Sequence, residues 1–502
     1  MNSSIPNPHD RSGHLARIAP VILAVVVFAL ALVYLTRIHP LYIADTDDWT
    51  YIGYWRRAAP IWGNWNPTRV LPELLMPITG AIASFAMTPI VGDYIEAQMI
   101  TAGIVVSACI CGYVMVFYYT VRKTLRPERW VAVLLALLFL ALHLLIFRSA
   151  PTDNQHLLYS PSLTTYFYYT VSNVLNASLA LLYVAGVWGA EKRNKRGGLL
   201  SGIILVLVYF ALLSNLFASV VLAACVGAGL VIRLVRALRA RDSILEFAKR
   251  NVASISVIAF WLIVQLFEAN GGRASSLQTD ASLFGRIHQS LSFMWVTAKT
   301  INHTWLVVVA LFLVAGAFAK RKQAVSKAVE GVAATLAIAM LLAVAYLALC
   351  CAKVAPETAL RADILFGVFY PIIVIAVLGL GLFLTRMPHA KTALPLVVIF
   401  LLCLCNTQGR TFANSNMLKA PESAVRELDH QIVEQCTTAA KEGRDEVVIE
   451  VPKVDTPDNF PFALYGGERI KATLTAHGLI DRDITISLNP TEEKTREMNV
   501  GL

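Results

Sequence analysis

The chain has 502 residues, of which 57% are hydrophobic and only 15% charged, with a mean hydropathy of +0.60. A soluble domain is nearer a quarter charged, so the composition excludes an ordinary soluble protein and predicts a polytopic helical membrane protein. The formal net charge of +10 is no sign of nucleic-acid binding: of the 43 Lys and Arg and 33 Asp and Glu, 11 and 16 lie from Thr407 onward, leaving 32 against 17 elsewhere, mostly in loops between apolar runs, as the positive-inside rule requires.

Residues 1–15 are polar, and Arg11 and Arg17 flank the first apolar run, which places the N-terminus in the cytoplasm. No small-residue cleavage site follows that run, so it reads as a retained first helix, about 17–36. The next stretch, Ala44 to Arg69, carries Asp45, Asp47 and Asp48, then Trp49, Trp55, Trp62 and Trp65 with Arg56, Arg57 and Arg69. Carboxylates are costly beside hydrocarbon, so three within four residues at a helix end point to a task. Trp belongs at the headgroup level, aromatic faces stack on sugar rings, and guanidinium forks match phosphate oxygens. The combination suits a site that handles a sugar held on a lipid phosphate. For any single Trp or Arg, an interfacial belt is the better explanation of the residue.

Residues 70–90 are apolar but contain Pro72, Glu73, Pro77 and Gly80. A full span there would push Arg122, Lys123, Arg126 and Arg129 outside, so the stretch is expected to lie along the outer surface, within a first outer loop of 37–95. Further helices are expected at about 96–120, 130–148, 166–188, two within 199–232 split at Ser214-Asn215, then 252–269, one ending at Lys320, and 329–351, 364–385 and 392–406. Eleven spans starting inside put the tail outside, and the five inner loops then hold 20 Lys and Arg. The tail, 410–502, has helical spacing over 421–440, strand alternation at 446–451 and 483–488, and a segment at 470–479 that fits strand or helix. It reads as a small soluble α/β domain following a membrane domain of 1–409.

Seven of the eight cysteines lie in or beside apolar runs and no CxxC pair with His exists, so no zinc site or disulfide framework is expected. Other outward elements carry polar and aromatic groups. Residues 149–176 hold His156, the run Tyr166 to Tyr169, and Asn173 and Asn176, with Tyr166 and Tyr169 on the asparagine face of an α-helix. Glu268, Gly271, Gly272 and Arg273 close one helix, and Lys353 and Arg361 precede another. The inner loops show basic residues only. The working face is therefore expected outside, where soluble activated sugars are absent and an activated donor must be lipid-carried.

Together, the acidic motif ending the first helix, Asn66-Pro67-Thr68-Arg69 before a surface helix, the aromatic run, Gly272-Arg273, Arg361 and an outward terminal domain resemble the GT-C superfamily of polytopic membrane glycosyltransferases, closest to its bacterial envelope-glycan branch. The resemblance covers about 17–406. It implies a polyprenyl-phosphate sugar donor, a cell-envelope glycan or lipid acceptor, and a bacterial inner (plasma) membrane setting. It implies inverting transfer with a first-loop carboxylate as general base: Asp47 in first place, then Asp48, with Asp45 completing the DxD. Arg69, Arg273, Lys353 and Arg361 would hold the donor phosphate, and Trp49, His156, Tyr166, Tyr169 and Asn173 the sugar or acceptor. Where the family often has Gly-Arg, this chain has Thr68-Arg69. Some members bind a divalent metal through the DxD, which Asp45 and Asp47 permit; many need none, and none is expected here. The alternative is a transporter or flippase for a lipid-linked or anionic substrate, which would show mid-membrane charges and two similar halves.

Overall fold

The computed structural model describes residues 8–56, 66–147, 156–189, 198–270, 282–319, 324–407, 420–456 and 458–500. The chain is mostly helical. Among the described residues, seven helices are long and apolar enough to cross a membrane: Ile18–Ile38, Pro67–Val91, Tyr94–Thr124, Ser219–Ala240, Val252–Ala269, Val325–Val354 and Phe366–Arg386. An eighth span results if Leu283–Lys299 and His303–Ala319, bent by 91° against each other, act together. Arg129–Leu145, Leu199–Leu212 and Pro388–Cys403 are apolar but shorter. These features make the chain a multi-pass membrane protein.

The long run at 199–232 divides where expected, and the reason is polar. Asn215 Oδ1 accepts the amides of Phe217 (2.8 Å) and Ala218 (3.2 Å), so the turn satisfies its own backbone. Asn176 Nδ2 donates to Ala211 O and to Ser214 Oγ, both at 3.0 Å, and ties the turn to the helix Ser172–Val184.

Two stretches differ from expectation. Pro67–Val91 has the length and apolarity of a span, where a surface helix is predicted. Pro72 sits at the first helical turn, where its missing amide costs nothing; Pro77 lies inside the same helix, Pro72–Ile82, and a π-turn, Ala83–Met87, follows it. The predicted outer loop after residue 269 contains a full helix, Leu283–Lys299, started by Ser282 as N-cap.

The C-terminal segment forms a helix Glu422–Glu442, strand β1 (Glu446–Pro452), a helix Gly466–Ala476, and strand β2 (Thr485–Thr491), which pairs in parallel with β1. The helix between them is the crossover that parallel strands require, so the 470–479 segment is helical through Ala476.

That segment sits directly on the first loop. Thr46 donates to Pro461 O from both N–H and Oγ1 (2.9 Å each), and its Oγ1 accepts from the Ala463 amide at 3.0 Å. Thr473 Oγ1 donates to the carbonyl of Trp49. Ser84 donates to His477 O at 2.9 Å, and the Tyr94 hydroxyl meets His477 Nδ1 at 2.8 Å. Gly53 makes this approach sterically feasible: a Cβ there would stand 2.8 Å from Thr473 Cα. Gly53→Ala should therefore separate the helix Gly466–Ala476 from the first loop. Limited proteolysis in detergent should show faster cleavage between 440 and 470 than in the wild type; unchanged cleavage would mean the interface absorbs the methyl group.

Candidate active site

Asp45 is the N-cap of a helix, Thr46–Gly53, and its carboxylate accepts the Asp48 amide at 2.8 Å. Asp47 and Asp48 fall in the first turn, where negative charge is favoured by the helix dipole. The three carboxylates then part company. Asp45 and Asp48 are fully buried, whereas Asp47 is half-buried. Asp48 accepts the amides of Thr164 (2.6 Å) and Ala44 (2.9 Å), pinning the first loop to the start of the aromatic-run helix. Asp47 makes no hydrogen bond among the described residues.

Burial sets their proton affinity. Desolvation pushes the Asp48 carboxyl up to about 6, against the pull of the Thr164 and Ala44 hydrogen bonds. Asp45 is driven well above the usual carboxylate range by burial and then by the Asp48 charge. Burial also raises Asp47, while Arg69 on one side and Arg469, from the helix Gly466–Ala476, pull it back. Asp47 is thus the first-loop carboxylate with an open face, a proton affinity raised toward neutrality, and two guanidinium groups beside it.

Tyr51 lies one turn after Asp47 on the same helix face. Arg69 donates to the Tyr51 hydroxyl at 3.2 Å, pairs with Glu73 at 3.5 Å, and lies 5.7 Å from the Tyr168 ring centroid. Glu73 is buried, pairs with Arg56 at 2.8 Å, and accepts the Tyr168 hydroxyl at 2.7 Å. The rings of Tyr51 and Tyr168 are 5.4 Å apart. The neighbouring tyrosine carries the second arginine: Arg361 Cζ stands 4.3 Å over Tyr169. Arg361 is held by a two-pronged bond to Asp363, at 3.1 and 2.7 Å, and Asp363 is seated by Ser160 and, through its carbonyl, by Asn173. Consecutive tyrosines thus each lie under one of two predicted phosphate-binding arginines.

The predicted residues separate into two groups. Asp47, Arg69, Tyr169 and Arg361 belong to this wall, with Asn173 behind it. Trp49 and Tyr166 are fully buried in the core and offer no face to a sugar. His156 is also buried, its Nε2 3.0 Å from the Tyr34 hydroxyl in a second aromatic cluster with His39 and Tyr159. Lys353 is exposed at the end of the helix Ala324–Val354 and joins none of these contacts. Arg273, Trp62 and Trp65 lie outside the described residues. Among the described residues, no group of three His, Cys, Asp or Glu side chains is placed to hold a metal ion.

Glu73, Tyr168 and Asp363 were not singled out from the sequence. Tyr168 was hidden by the assumption of α-helical spacing: Tyr166–Val171 is a π-helix, and its extra residue turns Tyr168 and Tyr169 to the arginine side while Tyr166 goes to the core. Glu73 carried a signal, a carboxylate in an apolar stretch four residues after Arg69. No family model matches the chain, and neither a curated protein nor a solved structure matches it.

Proposed function

We propose that the chain is a membrane glycosyltransferase that moves a sugar from a polyprenyl-phosphate carrier to a cell-envelope glycan or lipid, on the outer face of a bacterial inner membrane. One observation carries the reading: Asp47 stands open beside a wall where Arg69 and Arg361 lie over consecutive tyrosines. In this reading Asp47 takes the proton of the acceptor hydroxyl as its oxygen attacks the anomeric carbon from the side opposite the leaving phosphate, giving inversion. Arg69 and Arg361 neutralise the charge that develops on the departing lipid phosphate. Asp45 and Asp48 shape the loop instead of acting on substrate. The eleven-span topology, with the C-terminal segment as an outer domain, completes the proposal.

Comparing glycan profiles of cells carrying wild type, Asp47→Asn and Asp48→Asn tests it. Full transfer by both variants would remove the base from the first loop. Arg361→Lys keeps the charge but loses the two-pronged bond to Asp363 and the stacking on Tyr169. It should raise the KM for the lipid donor about tenfold, with a smaller change in kcat, as expected for lost ground-state binding. An unchanged KM would take the donor phosphate away from Arg361.

The transporter alternative gains no specific support, since the charged groups gather around the first loop and the segment before the helix Phe366–Arg386.

A further inference from the structure

Asp429 lies on the helix Glu422–Glu442, in the interface that seats the C-terminal segment on the first loop. It is fully buried, and among the described residues neither carboxylate oxygen has a hydrogen-bond partner. The Ile43 amide is close enough to draw its proton affinity down but falls outside normal hydrogen-bond geometry. From the first loop the buried Asp48 carboxylate faces it, and the hydroxyls of Tyr42 and Tyr94 lie within its field. The nearby cations are already engaged: Arg426 pairs with Glu96 at 2.6 Å, and His430 with Asp93 at 3.4 Å. A buried anion with only one poorly placed donor, beside a second buried anion, is strongly disfavoured. No metal-binding set is present among the described residues, so the neutralising particle is a proton.

We propose that Asp429 is a proton-operated latch, holding the C-terminal segment on the first-loop helix while protonated and loosening it once ionised against Asp48. Its regulatory meaning, that pH controls how the Asp47 site is assembled, rests on the function proposed above; the latch itself does not. Burial and then the Asp48 charge raise the Asp429 carboxyl well above its ordinary range. A carboxyl raised in the docked state contributes stability that is complete below its ordinary value and is lost as pH climbs through the raised one. Docking should weaken about tenfold for each pH unit across that window, one proton being released per opening.

The test is hydrogen exchange on the full chain in detergent, followed as protection factors from about pH 5, just above the ordinary carboxyl value, to about pH 9. Amides in Thr46–Gly53 and Gly466–Ala476 should lose protection as pH rises, while those of Phe366–Arg386 hold theirs. Asp429→Asn should keep the interface protected throughout. The first-loop carboxyls Asp45 and Asp48, also raised by burial, remain in the variant, so any pH dependence left there belongs to them. Asp48→Asn, which removes the neighbouring charge, should narrow the window and shrink the pH-dependent loss of protection, read against that variant's own protection at about pH 5 because the substitution also loosens the first loop, and serves if Asp429→Asn fails to fold. Equal pH dependence in wild type and Asp429→Asn, or none in the wild type, overturns the latch. Since exchange does not read transfer, a flat exchange profile with transfer abolished in Asp47→Asn would reject the latch and keep the glycosyltransferase.

Discussion

Asp47→Asn should lower transfer of the lipid-carried sugar by about 10²–10⁴-fold, the usual contribution of a positioned general base, while leaving the protein folded. The fold should tolerate it because Asp47 is half-buried and accepts no hydrogen bond among the described residues. Asn is nearly isosteric and cannot take a proton from an attacking hydroxyl. The neighbouring substitution behaves differently. Asp48 uses both oxygens to accept backbone amides, and Asn would aim an NH₂ at one of those donors. Asp48→Asn should therefore destabilise the first loop by about 1–3 kcal/mol and reduce activity through the fold. Thermal unfolding measured alongside transfer separates the two: activity lost at constant stability for Asp47, both falling together for Asp48. Full activity in a folded Asp47→Asn protein would end its assignment as the base.

Glu73→Ala should be among the most destabilising single changes in the chain. It leaves Arg56 and Arg69 without their buried carboxylate and Tyr168 without its acceptor. Breaking a buried pair from one side costs about 3–5 kcal/mol, because the remaining charge keeps its desolvation penalty. Replacing Arg56 and Glu73 together with methionine should recover part of the loss, since that removes a penalty from both partners. Denaturant titration in detergent of the two single variants and the double variant measures the coupling. Additive losses would mean that the pair is not energetically linked.

Much of the helical framework was legible because apolar length and basic flanks are local properties. The Ser214-Asn215 break could be placed because two adjacent polar residues in an apolar run must bond somewhere, and Asn176 proves to be a partner. The acidic cluster could be located, but not the division of labour within it. Which of three neighbouring carboxylates faces out depends on Thr164 and on the helix Gly466–Ala476, more than 100 and 400 residues away. Trp49 and Tyr166 were misplaced for a related reason: an aromatic residue at a helix end has the same local pattern whether it meets a headgroup or a core. The register of the tyrosine run depended on a π-turn, which side-chain periodicity does not announce.

The hydrogen bonds that link Thr46 with Pro461 and Ala463, and Thr473 with Trp49, join segments 415 to 424 residues apart in the chain. A nascent chain can insert its first hydrophobic helix and gain the Thr164 contact of Asp48 long before Thr473 leaves the ribosome, yet the loop lacks its second seat, on the helix Gly466–Ala476, until then. A translation product stopped before residue 461 would carry every arginine and tyrosine of the wall and still leave Asp47 on a turn held from one side only. Under the proposed function, the Asp47 site is thereby completed only once residues 461–473 have been made, and chains stopped short of them should be inactive.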